Sequence, residues 1–297
     1  MKDLLFIYNP KSGTGLIKNW LSDIIDIFVK AGFIVTVYPT QERGDATEKT
    51  LLAMEGGRTF DRVVCSGGDG TLDEVVTGMM QSEKKVPIGY IPTGSTNDFG
   101  SSLGLDKGMI KAAQAAAGDK LFPLDIGAFN EDSFVYVAAF GAFTEVSYQT
   151  PQDLKNMLGH AAYIIEGAKS IFDLKSYKMQ VEISGEVVYG EFIYGMVTNS
   201  NSVGGFKGLI GGDVSLNDGL FEVTLIKMPR NPIEFSEILA VLAGTIPDSQ
   251  LVLTYRTWHI KFTSEDEVPW TLDGEFGGTH SIVTVENKAK ALEICIE

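Results

Sequence analysis

Four short stretches of this chain carry residues whose types and spacing suit phosphate chemistry. The most telling is Val63-Val64-Cys65-Ser66-Gly67-Gly68-Asp69-Gly70-Thr71-Leu72, a glycine loop between an apolar, strand-like run and a helix expected over about Leu72 to Met80. Glycines let the backbone come within hydrogen-bond reach of phosphate oxygens, because no Cβ blocks the approach. The helix that follows offers unpaired N–H groups and a partial positive charge to an anion. Asp69 would repel phosphate unless a cation lay between them, so bridging through Mg²⁺ is its natural role and proton transfer the lesser one. The bland alternative is a glycine turn with an Asx-type cap. The strand–loop–helix setting favours phosphate.

A second loop, Ile91-Pro92-Thr93-Gly94-Ser95-Thr96-Asn97-Asp98-Phe99, follows the next strand. Gly94 and the Ser95 and Thr96 hydroxyls suit a nucleotide phosphate or ribose, while Asn97 and Asp98 suit a cap on the next helix and a brace for the first loop. An ordinary helix start would account for Ser95 to Asp98 alone; two such loops on successive strands weaken that account. Asn9-Pro10-Lys11-Ser12-Gly13 supplies a third loop, in which Lys11 is either a phosphate contact or a solvated lysine. Far downstream, Thr271-Leu272-Asp273-Gly274-Glu275 puts two carboxylates around one glycine, a set suited to metal holding plus general-base work on a hydroxyl. Asp-Gly is also the commonest hairpin turn, and in isolation that explanation wins.

The elements that must position these loops are legible from periodicity. Apolar residues Ile17, Trp20, Leu21, Ile24, Ile25 and Phe28 recur at helical spacing, and Gly32 stands where a helix ends. Strands at Leu4–Tyr8, Phe33–Tyr38, Arg62–Ser66 and Ile88–Ile91 alternate with helices at Ala46–Met54, after Gly70, and from about Asn97. That alternation implies a doubly wound parallel sheet covered on both faces. From about Pro123 strands dominate: Phe134–Phe140, Met179–Ile183, Val187–Thr198, Phe221–Ile226, Leu251–Leu253, Trp258–Phe262 and Ser281–Val285. Helices are expected only at about Leu154–Ile171 and Ile233–Leu242, so the second part reads as a β-rich sandwich. The apolar stretch Ala291–Ile296 is a candidate strand returning to the first domain.

The bulk composition excludes several classes. A net charge of −15 over 297 residues argues against nucleic-acid binding, which needs a basic footprint. Cys65 and Cys295 make no disulfide framework and read as small buried hydrophobes, in keeping with a reducing cytoplasm. No apolar run approaches the roughly 18 residues of a membrane-spanning helix, so an integral membrane protein is not expected. There is no G-x-x-x-x-G-K-[ST] loop and no G-x-S-x-G, and His160, His259 and His280 lack zinc spacing.

Taken in order, Asn9-Pro10-Lys11-Ser12-Gly13, Gly67 to Thr71, Pro92 to Phe99, Pro123-Leu124-Asp125-Ile126-Gly127, Asn217-Asp218-Gly219-Leu220 and Asp273-Gly274-Glu275 resemble the diacylglycerol kinase catalytic-domain family, in its soluble bacterial lipid-kinase branch. The resemblance implies an α/β fold: a doubly wound, phosphofructokinase- or NAD kinase-like nucleotide domain over 1–122, to which a strand at about 288–297 returns. A β-sandwich domain over 123–297 would contribute to an interdomain active site. It implies ATP as cofactor, held by Ser66, Gly67, Gly68, Asp69, Gly70, Thr71 and Leu72, with Thr40, Gly94, Ser95, Asn97 and Lys11 as further contacts. Glu275 would be the catalytic base and Asp69 would position Mg²⁺. A structural Mg²⁺ at Ser215 to Leu220 would be held by Asp218 and by backbone at Ser215 and Leu220, with Asp125 in a carboxylate–water network with Asp218. The expected reaction is γ-phosphoryl transfer from ATP to a lipid hydroxyl, with diacylglycerol as acceptor and phosphatidic acid as product. Rival acceptors are a sphingoid base or a soluble metabolite; a non-catalytic nucleotide-binding regulator is the rival from outside enzymes, against which Asp69 and Glu275 both speak. The resemblance further implies a cytoplasmic protein, peripheral at the inner membrane face, and a homodimer.

Overall fold

The computed structural model describes residues 2–13, 15–94, 97–105, 108–141, 174–200 and 214–297. The helix expected at about Leu154–Ile171 lies outside them. Two compact units emerge, Met1–Ile126 with Lys288–Glu297, and Gly127–Asn287.

In the first unit β1 (Lys2–Tyr8), β2 (Phe33–Pro39), β3 (Arg62–Gly67) and β4 (Ile88–Pro92) form a parallel sheet in the order β2-β1-β3-β4. Leu4 to Ile7 and Val63 to Cys65 are fully buried, as expected of strands covered on both faces. The end of β13 (Glu275–Cys295) lies beside β4, pairing Ile294 with Ile88. Helix α1 (Ile17–Lys30) buries Ile17, Ile24 and Phe28 on one face, and Phe28 meets Phe6 edge-on at 5.4 Å. It stops at Gly32, whose φ of +91° suits a residue without Cβ. Helices α2 (Asp45–Glu55) and α3 (Asp69–Gln81) pack closely because Gly78 has no side chain; a Cβ there would fall 2.5 Å from the Thr47 carbonyl oxygen. Glu74 of α3 accepts hydrogen bonds from the Gly44 and Ala46 N–H groups, filling the start of α2.

Two features of this unit differ from the sequence expectation. Helix α3 begins at Asp69, three residues ahead of the expected start. The reason is Gly67: the Thr71 side chain folds back over it, and a Cβ on Gly67 would fall 2.2 Å from Thr71 Oγ1. Helix α4 (Asp98–Ser102) is a single short turn, and α5 (Met109–Ala117) was not anticipated. Its buried face is Ala112, Ala113, Ala115 and Ala116, which gives little hydrophobic contrast to read.

The second unit is antiparallel. Strand β5 (Leu121–Phe129) runs into it and is followed by β6 (Asp132–Phe134), β7 (Val137–Gly141), β8 (Tyr177–Ile183), β9 (Glu186–Thr198) and β10 (Phe221–Lys227). Next come α6 (Pro232–Leu242), β11 (Val252–Thr257), β12 (His259–Leu272) and β13. The order is β11-β10-β9-β7-β12-β13, and β8 also pairs with both β9 and β12. Trp270 centres the core, with Phe140 at 4.8 Å and Phe129 and Phe262 each at 5.1 Å. Cys65 and Cys295 are free thiols, both buried. Burial pushes the Cys65 thiol well up and the Cys295 thiol to about 11, so neither is a ready thiolate.

The expected single strand Phe134–Phe140 is instead split into β6 and β7. The agent is Asp273, buried at the β12–β13 turn, whose Oδ2 accepts from the Val135 N–H and whose Oδ1 accepts from the Tyr136 and Val137 N–H groups at 2.9 Å each. Replacing Asp273 with Ala strips three buried N–H groups of their acceptor. It should cost at least about 3 kcal/mol, read as a lower urea midpoint with unchanged slope.

Candidate functional site

The loops at the carboxyl ends of β1, β3 and β4 meet in the first unit, the place where parallel sheets bind ligands. Backbone bonds tie them to the strands: Asn9 N–H donates to Ser66 O at 2.8 Å, Thr93 N–H to Gly67 O at 2.8 Å, and Thr40 N–H to Tyr8 O at 2.9 Å. Glycines then let them touch. A Cβ on Gly94 would lie 2.7 Å from Gly68 Cα, and one on Gly13, whose φ is +55°, would lie 2.2 Å from Thr93 O. Ser12, absent from the expected nucleotide contacts, puts its Oγ 3.8 Å from a Cβ built on Gly68. The signal was its place within the quoted first loop.

Asn97, at φ +50°, does not cap α4 as anticipated. Its Oδ1 accepts from the Gly94 N–H and its Nδ2 donates to Gly94 O, both at 2.8 Å, so it clamps the second loop onto itself. Ser95 lies outside the described residues. Lys11 is exposed, its N–H held by Asn9 Oδ1 at 2.9 Å.

Gly68 is the N-cap of α3 and supplies no side chain, and among the described residues no side-chain hydrogen bond caps that terminus. By contrast Asn231 caps α6, accepting from the N–H groups of Ile233 and Glu234. The open start of α3 beside the Gly68–Gly94 contact forms a cradle that a Cβ would fill, and phosphate fits it. Asp69 is half-buried in the first turn of α3, with Oδ1 shielded from solvent. Among the described residues no group of three His, Cys, Asp or Glu could by itself hold a metal. Asp69 beside bound phosphate still suits Mg²⁺, which takes one or two carboxylates, waters and phosphate oxygens.

In the second unit the β12–β13 hairpin turns through Asp273 and Gly274, both at positive φ, and pairs Leu272 with Glu275. Asp-Gly is thus the turn and Asp273 is a structural acceptor, which corrects the idea of two carboxylates sharing one chemical task. Glu275, just past the turn, is exposed. The segment Ser215 to Leu220, expected to hold a structural Mg²⁺, lies just before β10. Asp218 Oδ1 accepts from the Leu220 N–H at 3.0 Å, and Oδ2 is paired with the Arg256 guanidinium at 2.6 Å. Arg256 also reaches Glu222 at 3.2 Å, and Ser215 Oγ donates to Asn217 Oδ1 at 3.2 Å. Asp218 thus has a cationic partner within the chain, the Arg256 guanidinium. Asp125, fully buried in the first unit, accepts from the Lys290 N–H at 2.7 Å, at a kink in β13 where Lys290 has φ +52°.

Comparison with known proteins places these features in a family. The model of the diacylglycerol kinase catalytic domain matches residues 3–129, and that of the YegS C-terminal NAD kinase beta sandwich-like domain matches 137–296. A diacylglycerol kinase of Bacillus subtilis (strain 168) is 35% identical over 280 residues, 94% of this chain and 91% of that protein. One from Staphylococcus carnosus (strain TM300) is 34% identical over 92% of this chain and 88% of its own. Two crystal structures from Bacillus anthracis str. Sterne each cover 100% of this chain and 97% of their own; at 23% and 21% identity, with TM-scores of 0.81 and 0.75, they show the fold. This chain belongs to the diacylglycerol kinase catalytic-domain family, with the α/β first part and β-rich second part expected from its sequence. It is a phosphotransferase with an alcohol acceptor.

Since the cradle depends on the Gly68–Gly94 approach, Gly94→Ala should weaken ATP binding by at least about tenfold. Calorimetric titration with ATP checks this, tenfold being about 1.4 kcal/mol.

Proposed function

We propose that this chain moves the γ-phosphoryl group of ATP to the hydroxyl of a lipid, with diacylglycerol as acceptor and phosphatidic acid as product. The observation that carries the donor half is the Gly68–Gly94 backbone contact at the uncapped start of α3, a cradle for polyphosphate. Backbone from Ser66 to Leu72 holds the phosphates, and Thr40, Gly94, Ser95 and Lys11 complete the nucleotide contacts. Asp69 would position a Mg²⁺ ion bound with the nucleotide, which would supply neutralisation of the phosphate charge. Glu275 takes the proton from the lipid hydroxyl, the hydroxyl oxygen bonds to the γ-phosphorus, and the bond to ADP breaks. Phosphoryl transfer asks mainly for positioning and charge neutralisation, which suits a site made chiefly of backbone.

The acceptor half is supported by the relatives, which are named diacylglycerol kinases. Among the described residues no helix is long and apolar enough to cross a membrane. A lipid acceptor would therefore be met at the bilayer surface. The segments expected to touch it, Phe143 to Tyr148 and Gly204 to Ile210, lie outside the described residues.

Radiolabelled ATP offered with a panel of lipids and soluble alcohols in mixed micelles should label diacylglycerol. Glu275→Gln should lower kcat by about 10²- to 10⁴-fold, the usual worth of a general base. Label on a sphingoid base or soluble alcohol instead would replace the acceptor; no transfer at all with ATP still bound would make the chain a regulator. Asp69→Asn should abolish turnover, and near-normal activity in that variant would remove Asp69 from the site.

A further inference from the structure

Helices α2 and α3 both begin at the carboxyl end of the parallel sheet, and their first turns differ. The start of α3 is the open cradle described above. The start of α2 has no cap of its own, since its N-cap is Gly44 at φ +87°, and it is filled from α3. Glu74 Oε1 accepts from the Gly44 N–H at 2.9 Å and Oε2 from the Ala46 N–H at 3.1 Å, while the Glu74 carbonyl takes the Thr47 hydroxyl at 2.9 Å. A carboxylate using both oxygens at a helix start is held by charge-assisted bonds and by the helix dipole. The close approach of the two helices at Gly78 keeps it within reach.

The stretch so fastened is Thr40-Gln41-Glu42-Arg43-Gly44. Its other end is fixed to the sheet: Thr40 N–H donates to Tyr8 O at 2.9 Å, and Tyr8 lies opposite Ser66 in the β1–β3 pair. Within it, the Gln41 N–H is taken up by Asp45 Oδ2 at 2.6 Å. With Asp45, Glu48 and Glu74 gathered there, the start of α2 repels a further anion. The phosphates are left to α3, and the loop to the uncharged nucleoside.

We propose that Glu74 is a positioning residue for the nucleoside half of ATP: by tying the start of α2 to α3, it fixes the loop that carries Thr40 at a set distance from the phosphate cradle. One helix then bears both reference points, the phosphate site at Gly68 and, less than roughly two turns on, the anchor of the nucleoside loop. The inference rests on reading the start of α3 as the phosphate site and Thr40 as a nucleotide contact.

The test is calorimetric titration of the wild type, Thr40→Ala, Glu74→Ala and the double variant with MgATP and with magnesium tripolyphosphate, which has the phosphates and no nucleoside. Glu74→Ala should weaken MgATP binding by roughly tenfold, the cost of ordering a freed loop, and leave tripolyphosphate binding unchanged. Thr40→Ala should cost less in the Glu74→Ala background than in the wild type, because the two residues act as one unit. Equal losses for the two ligands would make Glu74 a prop of the cradle itself and overturn the proposal. No loss for either ligand, or full additivity with Thr40→Ala, would overturn it too. Glu74→Gln, which keeps one acceptor oxygen, should show the same selective loss in smaller measure, and it replaces Glu74→Ala if that variant does not fold. Failure of the underlying reading is distinct: the wild type would bind MgATP and not tripolyphosphate, or Thr40→Ala would cost the wild type nothing.

Discussion

Contact between bare backbones organises the first unit. Gly68 and Gly94 approach to a distance that no side chain permits, and Gly13 meets Thr93 in the same way. Each contact costs the conformational freedom that glycine gives up on folding. What it provides is a surface of peptide groups at the end of a parallel sheet, with no side chain between them and an anion. The strands below must be apolar and covered on both faces to hold three loops in register. The core of Leu4, Phe6, Ile24, Phe28, Val64 and Ile91 supplies that rigidity. A fixed peptide surface needs no rearrangement when charge moves from one oxygen to another, which is what phosphoryl transfer demands.

Several carboxylates play a different part from the one their residue type suggests. Asp273 and Asp125 both accept backbone N–H groups where a strand breaks or kinks. Asp218 is neutralised by Arg256. Glu74 stands in for an absent cap at α2. Each replaces backbone bonds that regular structure would have supplied, so irregularities in the sheets are held without leaving polar groups unpaired. The carboxylates proposed for chemistry, Asp69 and Glu275, sit at the start of a helix and just past a hairpin turn.

The strand–loop–helix order, the glycine loops and the family were legible in the sequence because each depends on local pattern and on residues close together in the chain. Helix α5 was not, because a face of alanines looks neutral to a hydrophobicity pattern. The split between β6 and β7 was not, because Asp273, which causes it, lies 136 residues from Val137. Asn97 was assigned to a helix cap when its bonds go back to Gly94, since the same side chain serves either turn.

The path of β13 bears on how the molecule is made. The unit that contains residues up to Ile126 also includes Lys288–Glu297, whose Ile294 pairs with β4. On the ribosome, where domains ordinarily fold as they emerge, this sheet waits through the synthesis of Gly127–Asn287 with its β4 edge unpaired. The later-made unit has all its strands first, and the earlier one is closed last. During that interval the nascent chain presents an apolar strand edge of the kind that chaperones shield.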